Sequence, residues 1–294
     1  MKELPTPTFP LSPAFLVRSS SFLGIARVDE PQRAPAPQPA SQAEEHPQTG
    51  GITAVWARHL DEVREAQRLR FDVFAGEMGA RLETSTNTVH PGHDIDMFDD
   101  FCEHLLVRDK ANGQVVGTYR VLTPAQAKRI GTTYTDTEFD LTRLRSMRER
   151  MVELGRSCVH KDYRHGGVIM ALGGALFEFM VRNRFETMIG CASIPMSHNG
   201  VAGGHAAASV WNRLGKTHLA PIEHQVFPRC ALPIEQLDGT LTVEPPALIK
   251  GYLRLGAKVL GPPAWDPTFN SADLPIMARL EDLPPRYRKH FLGA

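Results

Sequence analysis

The chain has 294 residues, and its 33 lysines and arginines balance 33 aspartates and glutamates. This balance excludes the global positive field typical of nucleic-acid-binding proteins, so a charged partner must meet a local patch. The apolar fraction of 42% is that of a globular domain, and no apolar run approaches the roughly 20 residues that cross a bilayer. The four cysteines are scattered, which is usual in a reducing compartment, so we predict a cytoplasmic protein without a nucleic-acid partner.

The first 50 residues are predicted to be a disordered, proline-rich segment. They hold nine of the 23 prolines, and PQRAPAPQPASQAEEHPQTGG has almost no bulky apolar residue. Such a stretch buries too little surface to offset its ordering entropy. The piece FLVRSSSFLGIARV could touch a membrane or a partner. Residues 51–294 are then predicted to form a single domain.

Helix and strand signals alternate beyond this boundary. Apolar residues at helical spacing predict a helix over 60–73, which Gly79 ends. A polar loop follows over 81–95. Two β-rich runs around Asn112 and Gly113 predict a hairpin, because Asn-Gly is the strongest short-range turn signal.

Residues 123–148 are predicted as arginine-rich helix and loop, followed by the strand MVELGRSCV. A glycine turn and a helix over 167–183 come next, and FETMIGCASIP is typical of a second buried strand. Further helices are predicted over 205–214 and in PPALIKGYLRLGA. Alternating strands and helices around a hairpin predict an α/β fold of the α+β type, with a mixed sheet covered by helices.

The stretch MVELGRSCVHKDYRHGG contains two charges inside a strand, Glu153 and Arg156. Strict alternation places them on opposite faces, and a bulge at Gly155 would bring both to the same face. The bulge would also leave a backbone N–H available to a carbonyl oxygen. Gly166 and Gly167 then let a ligand approach a helix N-terminus, which attracts anions. A structural Glu–Arg ion pair beside a tight turn is the alternative that these residues leave open.

The turn RHGGVI resembles the pyrophosphate-binding turn of the GCN5-related N-acetyltransferases (GNAT), whose pattern is R/Q-x-x-G-x-G/A. Arg164 and Gly167 fit that pattern, whereas Ile169 stands where the last small residue belongs. A β-branched side chain there obstructs a diphosphate, so coenzyme A should bind poorly. The resemblance therefore implies a donor with a single phosphopantetheine phosphate, as on acyl carrier protein, seated by Arg164, Gly166 and Gly167.

A closer resemblance covers most of the predicted domain. It is to the ornithine-lipid N-acyltransferases, which share the fold of acyl-homoserine-lactone synthases, and six blocks carry it: LRFDVFAGEMGA, DIDMFDDFCEHLLV, GTYRVL, VELGRSCVHKDYR, GCASIP and YLRLGAKVLGPPAWDPTFNSADLPIM. It implies a GNAT-like, largely antiparallel sheet with a bulged strand. It also implies transfer of a 3-hydroxyacyl chain from acyl carrier protein to the α-amino group of L-ornithine, giving lyso-ornithine lipid, with no permanently bound cofactor.

The lactone-synthase pattern also implies site residues. The matching positions are Arg70 and Phe74 in LRFDVF, Asp96 and Asp99 in DMFD, Arg120 in GTYR, and Glu153 and Arg156 in ELGR. The synthases use the glutamate position as a candidate base. The loop VHPGHDIDMFDD is longer and more acidic than theirs, which disfavours S-adenosylmethionine as acceptor and suits a diamino acid.

A mechanism follows as a hypothesis. Glu153 takes the proton of the α-amino group, and the backbone N–H near Gly155 and Arg156 stabilises the oxyanion, so these three residues are the predicted catalytic set. Burial and Arg156 act in opposite directions on the pKa of Glu153, so the sequence gives no net direction. Asp96 and Asp99 would hold the side-chain ammonium of ornithine. Arg120 or Arg156 would pair with its carboxylate.

Acidic carrier protein should dock on basic residues, although a solvated face is the alternative. The candidates are Arg143, Arg145, Arg148, Arg182 and Arg184. The acyl chain needs an apolar tunnel beside Leu172, Leu176 and Phe179, whose alternative is ordinary core.

Other chemistry is disfavoured. Cys158 and His160 could form a nucleophile–base pair, but a buried strand cysteine is usually a core residue. His198 and His205 lack a third ligand at metal spacing. His90, His93, Asp94 and Asp96 could bind a divalent ion, although a polar acceptor loop explains them as well. RHGG lacks the G-K-S/T of a P-loop. We predict no metal.

Two alternatives remain: a coenzyme-A-dependent GNAT acting on another amine or amino acid, and a non-catalytic module that binds carrier protein or lipid. Completing a two-chain lipid needs a separate O-acyltransferase, and an amphiphilic product implies transient contact with the inner membrane surface. The sequence leaves open the acyl length, ornithine against lysine, glycine or glutamine, and the oligomeric state.

Overall fold

The computed structural model describes residues 51–82 and 90–292, so the predictions for the N-terminal 50 residues lie outside the described residues. The strands are β1 (Ile52–Trp56), β2 (Glu103–Asp109), β3 (Val115–Leu122), β4 (Phe139–Asp140), β5 (Met151–Val159), β6 (Thr187–Pro195), β7 (Phe227–Pro228), β8 (Lys258–Val259), β9 (Ala264–Asp266) and β10 (Ser271–Arg279). The helices are α1 (Leu60–Phe71), α2 (Pro124–Ile130), α3 (Tyr134–Glu138), α4 (Gly167–Arg182), α5 (His205–Thr217), α6 (Ala247–Arg254) and α7 (Pro285–Leu292).

The central sheet has the strand order β1-β2-β3-β5-β6-β10-β8, with β9 also paired to β10. Every pair in it is antiparallel except β5 with β6. The predicted mixed, largely antiparallel sheet is confirmed. The predicted hairpin is confirmed as β2 and β3, and its turn places Gly113 at a φ of 75°.

Helices cover both faces of the sheet. On one face, α1 packs through Val63, Ala66 and Leu69, and the chain continues beyond it as a wide π-helical turn over Asp72–Glu77. On the other face, α4 lies close to β3: a Cβ atom at Gly117 would stand 2.3 Å from Val168 Cγ1. Among the described residues, no helix has the length and apolar character needed to span a bilayer.

The predicted bulge is present in β5, one residue later than expected. Thr118 pairs with Cys158 and Arg120 with Gly155, so Tyr119 of β3 faces two residues, Arg156 and Ser157. Arg156 itself adopts a φ of 51°, the left-handed conformation that a bulge residue can require. The extra residue changes the phase of the strand, and side chains beyond it point to the opposite face from the one strict alternation gives.

Strands β5 and β6 separate soon after they meet. Their parallel pairing covers only Met151–Glu153 and Thr187–Ile189, after which β5 pairs with β3 alone and β6 with β10 alone. At Gly190 the two backbones still touch, because a Cβ atom there would lie 2.4 Å from the Leu154 carbonyl oxygen. The bulge at Arg156 therefore borders the point where the sheet opens.

Candidate active site

Three arginines and three aspartates form a closed ring of ion pairs beside the bulge. We call it the arginine–aspartate ring, and its members are Arg70, Arg120, Arg156, Asp94, Asp96 and Asp99. Each aspartate is shared by two arginines: Asp94 by Arg70 and Arg156, Asp96 by Arg120 and Arg156, and Asp99 by Arg70 and Arg120. The formal charges of the ring cancel.

Four separate segments supply these side chains. Arg70 comes from the last turn of α1, Arg120 from β3 and Arg156 from the bulge of β5, while the aspartates lie on the segment that enters β2. Arg70 Nη1 and Nη2 donate to the two oxygens of Asp99 at 2.9 and 2.8 Å, and Arg70 Nε donates to Asp94 at 2.8 Å. Such bidentate pairing fixes geometry as well as charge.

The arginines lower the pKa values of Asp96 and Asp99. Burial alone would raise the pKa of Asp96, but the attraction of Arg120 and Arg156 outweighs it and the net shift is downward. The pKa of Asp99 is likewise lowered, because Arg70 and Arg120 overcome the cost of its burial. Both carboxylates are ionised over the whole neutral range.

This pairing bears on the predicted acceptor contacts. The side chain of Asp99 is only 3% exposed and that of Arg120 only 4%, and each is already bound within the ring. The structure therefore does not present Asp99 to a substrate ammonium, or Arg120 to a substrate carboxylate, without first breaking a buried pair. Asp96 and Arg156 are the accessible members, with side chains 19% and 10% exposed.

Glu153 lies on the same side of β5 as the arginine–aspartate ring, and it anchors the start of α3. Its Oε2 accepts the Tyr134 N–H at 2.8 Å, and its Oε1 accepts the Thr135 N–H and the Thr135 hydroxyl, each at 2.5 Å. Burial raises the pKa of Glu153, and the hydrogen bonds from Thr135 and Tyr134 only partly oppose that shift. The sequence left the net direction of the pKa of Glu153 open, and the structure shows that this pKa is raised.

Aromatic rings hold Arg156 in place. Its guanidinium lies 5.1 Å from the ring centroid of Tyr134 and 4.6 Å from that of Phe269. Phe74, which the resemblance placed in the substrate site, meets Phe269 edge-on with centroids 5.5 Å apart, and it is buried. Phe74 is thus a core residue, and it reaches the site only through Phe269, whose ring lies against Arg156. Tyr134 touches both Arg156 and Glu153, which confirms that the bulge brings the two charges to one face.

A second set of carboxylates lies beyond Tyr134. We call it the acidic group, and its members are Glu138, Asp266 and Asp273. The Tyr134 hydroxyl donates to Asp266 at 2.8 Å, and the Ser271 hydroxyl donates to Asp273 at 2.9 Å. Within the described part of the chain, no lysine or arginine lies within salt-bridge distance of the acidic group.

The acidic group is electrostatically unlike the ring. Burial, reinforced by the charge of Asp266, raises the pKa of Asp273 to about 6. Burial and the charges of Asp273 and Asp266 raise the pKa of Glu138 to about 7. The sequence contains no signal for these residues. Glu138 belongs to no motif, and Asp266 and Asp273 lie seven residues apart in AWDPTFNSADLPIM, where nothing distinguishes them from other aspartates.

The glycine turn leads directly into α4. Gly166 adopts a φ of 99°, which a side chain would strain, and Gly167 begins the 16-residue helix α4. Arg164 is exposed, and its Nη2 donates to Glu77 at 2.7 Å. Ile169 is 39% exposed on the first turn of α4.

The structure disfavours the other chemistries weighed from the sequence. Cys158 is buried against α1, and burial raises the pKa of its thiol to about 12, which leaves it protonated. His198 bonds to the Glu244 carbonyl and His205 accepts the Asp238 N–H. In residues 51–82 and 90–292, no group of three potential metal ligands is assembled.

The arginines proposed for docking are mostly engaged. Arg148 pairs with Asp136, Arg182 pairs with Glu178, and Arg143 donates to the Ile222 carbonyl and lies over the Phe227 ring. Leu172 and Leu176 belong to the buried cluster under α4, with Phe179 packed against it. This is the ordinary core that was the alternative to a tunnel.

Comparison with known proteins adds the family. Residues 69–173 match the acetyltransferase (GNAT) domain. The chain is 33% identical over 261 residues to an L-ornithine N(alpha)-acyltransferase of Brucella abortus, covering 82% of this chain and 89% of that protein. It is 34% identical over 248 residues to the enzyme of that name from Rhodobacter capsulatus, covering 80% and 92%. A solved CoA-dependent acyl-homoserine lactone synthase, BjaI, is 16% identical, with a TM-score of 0.48 over 83% of this chain and 89% of that one.

Proposed function

The chain belongs to the L-ornithine N(alpha)-acyltransferases, and from this premise we propose that it transfers a 3-hydroxyacyl chain from acyl carrier protein to the α-amino group of L-ornithine. N-acylation of ornithine follows from the family, whereas the donor and the residue roles are our inference. The observation that carries the roles is the position of Glu153: a buried carboxylate of raised pKa beside a strand bulge at the opening of the sheet.

The reaction forms one bond and breaks one. The α-ammonium of ornithine first loses a proton, since only the neutral amine attacks a thioester, and most of it is protonated at pH 7. The amine nitrogen then bonds to the thioester carbon, the C–S bond breaks, and the second amine proton ends on the thiol of the phosphopantetheine arm. No oxidant, reductant or resident cofactor enters the balance.

Glu153 is the proposed base. A pKa above that of an ordinary glutamate brings the carboxylate nearer to the working pH, where general-base catalysis is most effective. The backbone of Tyr134 and the side chain and backbone of Thr135 fix both of its oxygens, so the carboxylate is oriented before substrate arrives. It accepts the amine proton directly or through one water.

The bulge provides the proposed oxyanion contact. A methyl group at Gly155 would meet no atom within 4 Å, so there is space beside the backbone at this point. A thioester carbonyl placed there could accept a backbone N–H of the bulge, and such contacts typically contribute about 3 kcal/mol to transition-state stabilisation. Gly155 is suited to the position because it adds no side chain to that space.

The charges near Arg156 suit an acceptor with two ammonium groups and one carboxylate. Arg156 is the accessible arginine for the carboxylate, and Asp96 is the accessible ring aspartate. The acidic group contributes negative potential on the side of Tyr134 away from the ring, and no lysine or arginine of the described residues forms a salt bridge with it. A diamino acid is favoured there over a neutral one, because glycine or glutamine brings only one ammonium group.

The donor's arm would enter at the glycine turn. Its phosphate would lie against the N–H groups of Gly166 and Gly167, and Arg164 would exchange its exposed pair with Glu77 for the phosphate. Exposed pairs of this kind contribute at most about 1 kcal/mol, so the exchange costs little. Ile169 stands where a diphosphate would need room, which favours an arm on carrier protein over coenzyme A.

The product implies further partners. An N-acylated amino acid with a long chain is an amphiphile, so we infer that release involves transient contact with the inner membrane surface, in keeping with a cytoplasmic enzyme. Its 3-hydroxyl remains available for a second acylation. We infer that a separate O-acyltransferase carries out that step.

A product assay tests the proposal. Purified full-length protein is incubated with 3-hydroxyacyl carrier protein, or with the matching acyl coenzyme A, against ornithine, lysine, glycine and glutamine, and products are identified by mass spectrometry. Acyl-ornithine from the carrier-protein donor is the expected result. Product from coenzyme A alone would support a coenzyme-A-dependent GNAT instead, and absence of product from folded protein with either donor would favour a binding module.

A further inference from the structure

Three hydroxyl groups meet on the face of the sheet opposite Glu153. The Tyr119 hydroxyl of β3 and the Tyr252 hydroxyl of α6 are 2.5 Å apart. Ser157, the residue after Arg156 in the bulge, lies beside them. We call these residues the hydroxyl cluster. None of the roles proposed above uses it.

The Ser157 hydroxyl is left without a partner. Its Oγ is buried and has no hydrogen-bond partner in the structure, although it lies near both phenols. A buried hydroxyl without a partner costs about 1–3 kcal/mol. Buried polar groups normally avoid that cost, so an unpaired one beside a catalytic strand points to a ligand that completes it.

The surroundings define what kind of ligand group fits. Tyr119 belongs to the apolar cluster under α4 that includes Leu172 and Leu176, and Tyr252 packs against the same cluster. Burial raises the pKa of Tyr119, and it raises that of Tyr252 to about 12, so both phenols are neutral. Three neutral hydroxyls in an apolar setting can pair with an uncharged hydrogen-bonding group on an otherwise apolar chain. They are poorly suited to a phosphate or a carboxylate.

The position of Ser157 along β5 indicates which part of the donor the hydroxyl cluster would contact. The bulge at Arg156 is where the thioester carbonyl is proposed to lie, and Ser157 is the next residue. Carbon 3 of the acyl chain is two bonds from the carbonyl carbon, so a hydroxyl on it falls within a few ångströms of the carbonyl. A chain directed to the α4 face at this point would bring that hydroxyl to Ser157.

We propose that Ser157, Tyr119 and Tyr252 form a specificity subsite for the 3-hydroxyl of the acyl donor. The inference deepens the proposed function and rests on it. Ser157 Oγ accepts or donates one hydrogen bond to the substrate hydroxyl, and the Tyr119–Tyr252 pair provides the second partner. An unsubstituted acyl chain would leave Ser157 unpaired and bind without that gain.

Ser157→Ala is the decisive variant. Because Ser157 Oγ has no protein hydrogen-bond partner to lose, the substitution should not lower thermal stability, and a loss confined to one donor is an effect on the binding of that donor. The kcat/KM values for ornithine acylation are compared for two carrier-protein donors of equal length, with and without the 3-hydroxyl. We expect a loss of about tenfold for the hydroxylated donor, the value of one hydrogen bond, and little change for the other.

Two further variants complete the test. Tyr252→Phe should shrink the same discrimination, whereas Tyr163→Phe, which removes a hydroxyl bonded to Asp109 elsewhere in the cluster under α4, should not. Equal losses for both donors would overturn the subsite and assign the cluster to the phosphopantetheine arm instead. Unchanged discrimination in Ser157→Ala would overturn it outright.

The outcomes separate the subsite from the proposed function. If the wild-type protein acylates ornithine from both donors equally well, the function stands and the subsite is wrong. If it acylates ornithine from neither, the proposed function fails. Binding of the two acyl carrier proteins to wild type and Ser157→Ala, measured by calorimetry, then decides the subsite without turnover: equal affinities in wild type would overturn it.

Discussion

Two sets of carboxylates lie on either side of Tyr134 and Arg156, and their electrostatic surroundings are opposite. Every aspartate of the arginine–aspartate ring is shared by two guanidinium groups, and the pKa values of Asp96 and Asp99 are lowered. Among the residues that the structure describes, no lysine or arginine forms a salt bridge with the acidic group, and the pKa values of Asp273 and Glu138 are raised. The protein's own arginines neutralise the arginine–aspartate ring, whereas the acidic group is available to a cationic ligand.

The difference separates structural acids from acids that suit a ligand. A ring of buried pairs holds α1, β3 and β5 in register, and removing one member leaves an unbalanced charge in the interior. Uncompensated buried carboxylates destabilise the fold at neutral pH, and proteins retain such groups chiefly where function requires them. The motif DMFD points to the first set, while the second set is the better electrostatic match to a cationic acceptor.

The largest expected effect is on the ring. Arg70→Met should reduce the free energy of unfolding by about 3–5 kcal/mol, because Asp94 and Asp99 would each keep only one arginine and the buried ring would carry a net negative charge. Urea denaturation followed by circular dichroism measures the loss. Arg64→Ala, on the same helix but in an exposed pair with Asp61, is the matched control and should cost less than about 1 kcal/mol. Similar losses for the two variants would show that the ring is not a structural unit.

The pH dependence of stability sharpens the comparison. Asp273 has a folded-state pKa raised to about 6, so its stabilising contribution is complete below the unfolded pKa of about 4 and is lost as pH rises through 6. Asp273→Asn removes that loss. The difference in unfolding free energy between the variant and wild type should therefore increase, in favour of the variant, by on the order of 3 kcal/mol from pH 4 to pH 8. An unfolding free energy that tracks wild type at both pH values would contradict the raised pKa.

Ornithine binding should depend on the acidic group. Asp273→Asn keeps the shape of the side chain and its bond to Ser271 but removes negative charge near the acceptor, so KM for ornithine should rise about tenfold, with a smaller change in kcat. Steady-state kinetics with saturating donor gives both constants. Glu223→Gln, a carboxylate exposed on the surface, is the control. A kcat loss at constant KM would place Asp273 in the chemical step instead.

The smallest effect is expected at the docking candidates. Arg148 is 37% exposed and already pairs with Asp136, so Arg148→Ala should change stability by less than about 1 kcal/mol. If carrier protein docks on this arginine, KM for the acyl-carrier donor rises with salt and in the variant. No change in donor KM would remove Arg148 from the docking surface.

Local rules predicted much of the fold. The Asn112-Gly113 hairpin, the helix that follows Gly167 and the strands around MVELGRSCV were all found, since each is encoded by adjacent residues. The bulge was predicted from two charges of opposite parity. The predicted position, Gly155, was wrong, and the bulge lies at Arg156, because a glycine favours a bulge on conformational grounds but the pairing with β3 determines its register.

The site was predicted less completely. Glu153 and Arg156 could be identified because they lie close together in sequence. Their surroundings could not be identified: Tyr134 and Thr135 begin α3, Asp266 ends β9 and Phe269 follows it, and these residues meet Glu153 and Arg156 only through the tertiary fold. Whether a carboxylate forms an ion pair depends on residues that are distant in sequence. The motif DMFD therefore did not show that Asp99 pairs with Arg70.

The most direct test of the account is the pH profile of turnover for Glu153→Gln, beside Thr135→Val. Loss of the Thr135 hydroxyl bond should raise the pKa of Glu153 further and move the acid limb of kcat to higher pH, with the base still present. Glu153→Gln should lower kcat at least 100-fold at every pH and abolish the acid limb, with circular dichroism and donor binding close to wild type. Wild-type turnover by folded Glu153→Gln across pH 6–9 would show that this carboxylate only anchors α3.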